Sequence, residues 1–287
     1  MTGDLGFNVI DIFRDRFPER FTNCGVAEQS MMTMAAAIAS EGYTVFAYSI
    51  SNFATFRCIE QIRNDIAYHG RSVCIVAVGA GTSYGTLGYS HYGLQDVAVM
   101  RAIPGMRIYA PGTPEELEYA LDNILSHQGP SYLRLGRYLD FEPPVANVNS
   151  VYEVRAGSKI TVLASGTLLN NSLLASALCE GSSVQVLSAP LVSPLNIQEI
   201  VKLTNGRPIV TVEEHSVSGG LGSILLESLA ELNAPRNVHV LGFPHSSEML
   251  IGSHDYTLTN AGLNVENIAS SLQRFIDLGG TANAIRG

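Results

Sequence analysis

Short apolar runs alternate with longer stretches of helical periodicity along nearly the whole chain. Thr44–Ser49, Val73–Val78, Arg107–Ala110 and Ser131–Leu135 read as strands, with helical patterns near 27–40, 54–68 and 114–127 between them. The third helix carries its own start signal. Thr113 stands at the N-cap, Pro114 at the first helical position and Glu116 at the spacing of a capping box. From about Asp140 to Ser158 the alternation breaks at Pro143, Pro144, Asn147, Asn149 and Ser150, which predicts a linker. A second block follows, with strands at Ile160–Ala164, Val184–Leu187, Ile209–Val212 and Val238–Leu241 and helices near 168–180, 194–203, 221–232 and 264–277. This pattern predicts an α/β fold of two domains, each a mostly parallel sheet with helices on both faces. The expected boundaries are 1–142 and 159–287, joined by a linker at 143–158. The opening Thr2-Gly3-Asp4-Leu5-Gly6 reads as the end of a strand and its loop, as though a first strand preceded it.

Composition narrows the class. A chain of 287 residues suits two cores better than one. With 46% hydrophobic and only 15% charged residues it packs as a globular protein with room for large buried interfaces, so an oligomer is expected. The net charge of −9 and the absence of a basic patch argue against nucleic-acid binding. No apolar run reaches membrane-spanning length, and no basic segment followed by an apolar one marks a secretory leader. Cys24, Cys58, Cys74 and Cys179 form no CxxC pair and no metal-ligand spacing, so they read as free thiols of a cytoplasmic protein.

The chemistry is concentrated in a few segments. In Asn23-Cys24-Gly25-Val26-Ala27-Glu28-Gln29 one carboxylate enters a helix rich in Ala and Met, on a face predicted from Ala27, Met31, Met34, Ala35 and Ile38. A buried acid is costly unless something specific meets it; the competing reading is a favourable charge at a helix N-terminus. The small residues at 35, 36, 37 and 39 would let another helix approach closely. Gly79, Gly81, Gly85 and Gly88 follow an apolar strand, but Tyr89-Ser90-His91-Tyr92-Gly93 then reads as more loop. A dinucleotide site needs a helix to begin among its glycines, so an active-site loop carrying His91 is the better reading.

Phe53 and Phe56, three apart, would share a helix face as core or as a slot for a planar ring. Arg57, Glu60 and Arg63 read as a solvated or interface charge set. Arg134 and Arg137 stand at a strand's carboxyl end, where a guanidinium serves a phosphate or a structural ion pair. In the second domain, Glu213 and Glu214 are adjacent on a strand and point to opposite faces, so they cannot act on one atom. The glycines after them precede a helix and suit either an anion or close packing.

Together these segments resemble the C-terminal half of transketolase-like thiamine diphosphate enzymes. Arg20–Met31 is similar to that family's pyrimidine-binding segment. The match continues through Phe53–Asn64, Gly81–Asp96, Arg101–Pro104, Pro111–Thr113, Val212–Ser223 and Ala261–Leu263. The resemblance implies that Glu28 hydrogen-bonds the N1′ ring nitrogen of the cofactor's pyrimidine, favouring the tautomer that removes the thiazolium C2 proton. It implies that Phe53 and Phe56 flank the pyrimidine, that Asp4 lies in a loop near the cofactor, that His91 faces substrate and that Arg137 grips a sugar phosphate.

Two positions depart from the family pattern. Leu87 replaces an acid common in members acting on sugar phosphates, and Gly79 replaces a further His of many transketolases. The family's Gly-Asp-Gly motif, which holds Mg²⁺ and the diphosphate, is missing. The resemblance therefore implies one subunit of a split enzyme, with a separate N-terminal subunit bringing the metal site and a heterotetramer built on a homodimer of this chain. The expected reaction is transfer of a two-carbon ketol unit from a ketose or its phosphate to an aldose. The alternatives are the β subunit of a 2-oxoacid dehydrogenase, a deoxyxylulose-phosphate synthase relative, a non-catalytic assembly subunit and, last, a nicotinamide oxidoreductase.

Overall fold

The computed structural model describes residues 1–137, 147–246 and 250–280. Pro143 and Pro144 of the predicted linker, and the last seven residues of the predicted second domain, lie outside them.

Among the described residues, ten strands form two sheets. The first contains β1 (Val45–Ile50), β2 (Val73–Val78), β3 (Arg107–Tyr109) and β4 (Ser131–Leu135), parallel to one another in the order β1-β2-β4-β3. The second contains β5 (Tyr152–Arg155), β6 (Ile160–Ala164) and β7 (Val184–Ser188), then β9 (Ile209–Ser216) and β10 (Val238–Phe243) beyond β8 (Leu191–Ser193), in the order β10-β9-β6-β7-β5. All its pairs are parallel except β5 with β7. The strand β8 leaves this block and pairs antiparallel with β3, so the second half of the chain supplies an edge of the first sheet. The predicted α/β architecture is present. The sequence pattern missed β5, which falls inside the predicted linker, and β8. Both are edge strands of three or four residues, too short to display a period.

The helix Glu28–Ser40 covers the first sheet with Glu28, Met31, Met32, Ala35, Ala36 and Ala39 buried. That stripe at i, i+3, i+4, i+7, i+8 and i+11 is rotated from the predicted face, leaving Ala27 and Met34 exposed. The turn inward is what buries Glu28. The helix packs against Ile62–Ala67, a π-helical turn.

The predicted helix over 54–68 is broken into Ser51–Thr55, a 3₁₀ turn at Phe56–Cys58, Ile59–Gln61 and the π turn. The break comes at Thr55, whose φ of −106° and ψ of −80° leave the helical region. Its hydroxyl donates to the Ser51 carbonyl at 2.7 Å, the back-bond that bends helices at β-branched hydroxyl residues. Phe53 and Phe56 therefore do not share one helical face.

At the helix Pro114–Ser126 the N-cap is as predicted, with Thr113 Oγ1 accepting from the Glu116 N–H at 3.2 Å. The reciprocal half differs. The Glu116 carboxylate accepts from the Gly112 N–H at 2.6 Å, and from the hydroxyls of Tyr152 on β5 and Ser188 on β7. It has become a tie between the two halves of the chain. Among the described residues no helix is long and apolar enough to cross a membrane.

Candidate active site

Glu28 is 1% exposed. The chain's opening residues are laid over it: Thr2 bridges to both Asn23 and Tyr48, and a Cβ on the buried Gly3 would stand 3.3 Å from Glu28 Oε1. Ser49 Oγ, on β1, donates to that oxygen at 3.1 Å. Arg57 Nη1 donates to Oε2 at 2.6 Å, and its side chain is 40% exposed. The guanidinium also lies 4.3 Å from the centroid of the Phe53 ring. Arg57, read from sequence as part of a solvated charge set, thus faces the principal acid. The helix break at Thr55, invisible in the periodicity, helps to place it there. Beneath it, Cys58 donates its thiol to the Phe53 carbonyl. Burial and the nearby Glu28 charge push its pKa up to about 12, an inert thiol.

Phe53 meets His91 edge-on, with ring centroids 5.1 Å apart, and Tyr84 stands 6.4 Å beyond His91. Glu28, Arg57, Phe53, His91 and Tyr84 therefore form one continuous line of contacts. Ser90 Oγ lies 3.0 Å from His91 Nδ1, and Asn52 Nδ2 holds the Ser90 carbonyl at 2.8 Å, linking the loop to the Phe53 helix. After β2 the glycine-rich segment forms two single 3₁₀ turns, Gly85–Leu87 and Tyr89–His91. No helix begins among these glycines, so the dinucleotide context is not formed.

The other predicted residues surround this line without joining it. Asp4, with φ of +60°, takes a bond from Asn23 Nδ2 at 2.9 Å, and its own N–H donates to Asn23 Oδ1 at 3.1 Å. The loop is thereby fixed to the segment leading into Glu28. Phe56 lies in the next turn and is exposed. Arg137 is exposed past the end of β4, its N–H on Ser83 Oγ at 3.3 Å. Arg134, left open between phosphate and ion pair, is a buried structural ion pair. Its Nε donates to Asp96 at 2.7 Å, and its Nη2 to the carbonyls of Gly93 at 2.8 Å and Glu214 at 2.7 Å.

The two acids of the second domain diverge as strand geometry requires. Glu213 accepts from the N–H groups of Leu221 and Gly222 at 2.6 and 2.9 Å, filling the N-terminus of the helix Leu221–Glu231. The open alternative of an anion at these glycines is closed, since the protein's own carboxylate occupies the place. Burial holds Glu213 above the usual carboxylate range. Glu214 turns toward the first domain and accepts from the Thr82 N–H, Thr167 Oγ1 and His254 Nε2, each at 2.8 Å. Burial works against its charge, but the His254 hydrogen bond and charge outweigh it, so the Glu214 pKa lies below its ordinary value. Among the described residues no group of three His, Cys, Asp or Glu could hold a metal.

Residues 4–139 match the model of the transketolase pyrimidine binding domain, and residues 150–268 that of the transketolase C-terminal domain. The chain belongs to the transketolase family. Its transketolase domains align with one of the subunits of the apulose-4-phosphate transketolase of Phocaeicola vulgatus at 32% identity, over 92% of this chain and 86% of that protein. A 1-deoxy-D-xylulose-5-phosphate synthase of Magnetococcus marinus is also 32% identical, but the match spans only 44% of it. A solved structure described as a split gene transketolase, inactive beta4 tetramer, superposes with a TM-score of 0.79 at 31% identity, covering 93% of this chain and 87% of that one. Transketolase membership implies thiamine diphosphate as cofactor.

Proposed function

We propose that this chain is the pyrimidine-binding subunit of a split transketolase that transfers a two-carbon ketol unit from a ketose or ketose phosphate to an aldose. The observation that carries the reading is the Glu28 carboxylate. It is almost wholly buried, yet its partners are one hydroxyl and one arginine at the surface, fewer than the roughly four bonds a carboxylate can accept. A buried acceptor beside an aromatic ring fits a planar aminopyrimidine with a ring N–H to donate. Glu28 would hold the pyrimidine and share its proton, with Phe53 and Phe56 supplying apolar walls and Asp4 standing nearby.

Thiamine diphosphate supplies the electron sink for cleaving and forming the carbon–carbon bond. Around it, His91 would hold or pass a proton at a substrate oxygen and Arg137 would grip a sugar phosphate. The diphosphate and Mg²⁺ fall to a separate N-terminal subunit, consistent with the Phocaeicola relative being itself one subunit of its enzyme. The exposed apolar residues Phe7 and Val9, with Ile12 in the following helix Asp11–Arg16 that has no buried residue, support an extensive protein interface. A homodimer of this chain within a heterotetramer, in a reducing cytoplasm suited to its free thiols, completes the proposal.

Leu87, exposed on the loop that carries His91, favours one second reading. An apolar side chain there suits a 2-oxo acid donor, as in a decarboxylating relative. Reconstitution with a diphosphate-binding partner, assayed with ketose phosphates and with pyruvate, decides between the two. Turnover is expected only from the pair and with the ketose donor. Turnover by this chain alone would overturn the split-enzyme reading, and an E28Q pair of full activity would leave an assembly role.

A further inference from the structure

The loop from Gly79 to Gly93 carries Tyr84 and His91, and both domains hold it, the first through Asn52 on the Ser90 carbonyl and the second near its neck and its first turn. Gly81 and Gly93 close its neck by exchanging backbone hydrogen bonds at 3.0 and 2.8 Å. Glu214, reaching across from β9, accepts the N–H of Thr82, the residue just inside that neck. The approach is close enough to demand glycine at 81, whose φ is +62° and whose Cβ, if present, would fall 2.1 Å from Glu214 Oε1. Arg134 joins the Gly93 carbonyl to the Glu214 carbonyl with a single nitrogen, fastening the other side of the neck to the same residue. Thr82 Oγ1 meets Thr257 Oγ1 at 2.6 Å, and Tyr92 donates to the carbonyls of Gly85 and Leu250. The turn Gly85–Leu87 thus rests on residues 250–257. Glu214, Leu250 and Thr257 belong to the second domain, while the Phe53 ring that His91 meets belongs to the first.

We propose that Glu214 is a positioning residue for the substrate-facing loop: through Thr82 it keeps His91 against Phe53, giving the C-terminal domain a direct part in donor recognition. The inference rests on the functional reading above for its consequence, but its structural half stands apart from it. His254 on one oxygen and Thr167 on the other hold the carboxylate in place, so Glu214 is itself oriented from two elements of the second domain. An isosteric amide would keep the volume but lose the charge and one of the two accepting oxygens, weakening the bonds that Thr82, His254 and Thr167 make to this side chain.

The test compares E214Q and T167V with the wild-type full chain by hydrogen exchange, then carries both into the assembled enzyme. E214Q is expected to raise exchange of the amides between Thr82 and His91 by about tenfold, as loss of a charged hydrogen bond would, with β6 and the helix Leu168–Leu178 unchanged. T167V, one bond removed from the loop, should give a smaller increase in the same amides. In the assembled enzyme E214Q should raise KM for the ketose donor while leaving thiamine diphosphate affinity, measured by calorimetry, within about twofold. Unchanged exchange in the loop overturns the proposal, as does an equal rise throughout the second domain or a KM that does not move. If the wild-type assembly bound no thiamine diphosphate, the functional reading would fail, and the exchange result alone would still decide whether Glu214 holds the loop.

Discussion

Glu28 and Glu214 are both glutamates removed from solvent, at 1% and 2% exposure. Their surroundings differ in kind. Glu214 receives a backbone N–H, a hydroxyl and an imidazole, each at 2.8 Å, from three separate segments of chain. Glu28 receives a hydroxyl at 3.1 Å and one guanidinium from a partly exposed arginine. The first is a completed joint between domains. The second is an acid kept at the start of a helix with acceptor capacity to spare, the condition expected of a group whose remaining partner is a ligand. Burial alone therefore does not separate a structural acid from a functional one; the completeness of its partners does.

Substitution should separate the two most sharply. E28Q is expected to lower turnover of the assembled enzyme by about a hundredfold or more, the scale of a lost proton-transfer partner, with the thermal midpoint unchanged or raised. E214A should do the reverse to the fold. Removing one member of a buried pair leaves His254 and Thr82 facing an empty site, at a cost of about 3 kcal/mol or more in denaturant unfolding. Equal stability losses from both variants would erase the distinction.

The pH dependence of stability is the next, smaller discriminator. Burial lowers the His254 pKa, but the Glu214 hydrogen bond and charge raise it further, leaving it above its ordinary 6.5 with Asp255 adding to the rise and Arg137 opposing it. Glu214, also facing Arg134, lies below 4.5. The pair's contribution is thus whole between those limits. It is lost on the alkaline side as pH climbs through the folded His254 value, and on the acid side as pH falls through that of Glu214. Unfolding curves from pH 5 to 9 should show the alkaline loss in the wild type, and H254Q should flatten it. Smaller again, R57A should cost less stability than E214A, because the Arg57 side chain is 40% exposed and its removal opens Glu28 to water. A loss as large as that of E214A would mean that Arg57 completes a structural pair and that Glu28 has no acceptor capacity left for a ligand.

Much of the architecture was legible because long elements advertise their period. Val73–Val78, Ser131–Leu135 and Ile160–Ala164 lie where apolar runs predicted them. The short edges β5 and β8 carried too few residues to show one. The apolar setting of Glu28 is as the sequence predicts, but the face differs: Ala27, Met34 and Ile38 fit the apolar period as well as Met32, Ala36 and Ala39 do, and only packing decides that the latter are buried. Glu28, Phe53 and His91 could be nominated from residue type and neighbours. Arg57 could not, since its place depends on the break at Thr55 and on the fold bringing position 28 beside position 57. Glu214 was recognised as diverging from Glu213, but its attachment to Thr82 crosses 132 residues and leaves no local trace.

The most direct test is the structure of the assembled enzyme with thiamine diphosphate bound. A Glu28 carboxylate oxygen is expected within about 3 Å of the pyrimidine N1′, the distance of a charge-assisted hydrogen bond. A pyrimidine held elsewhere, with Glu28 meeting only Ser49 and Arg57, would contradict the ligand-binding role of that acid.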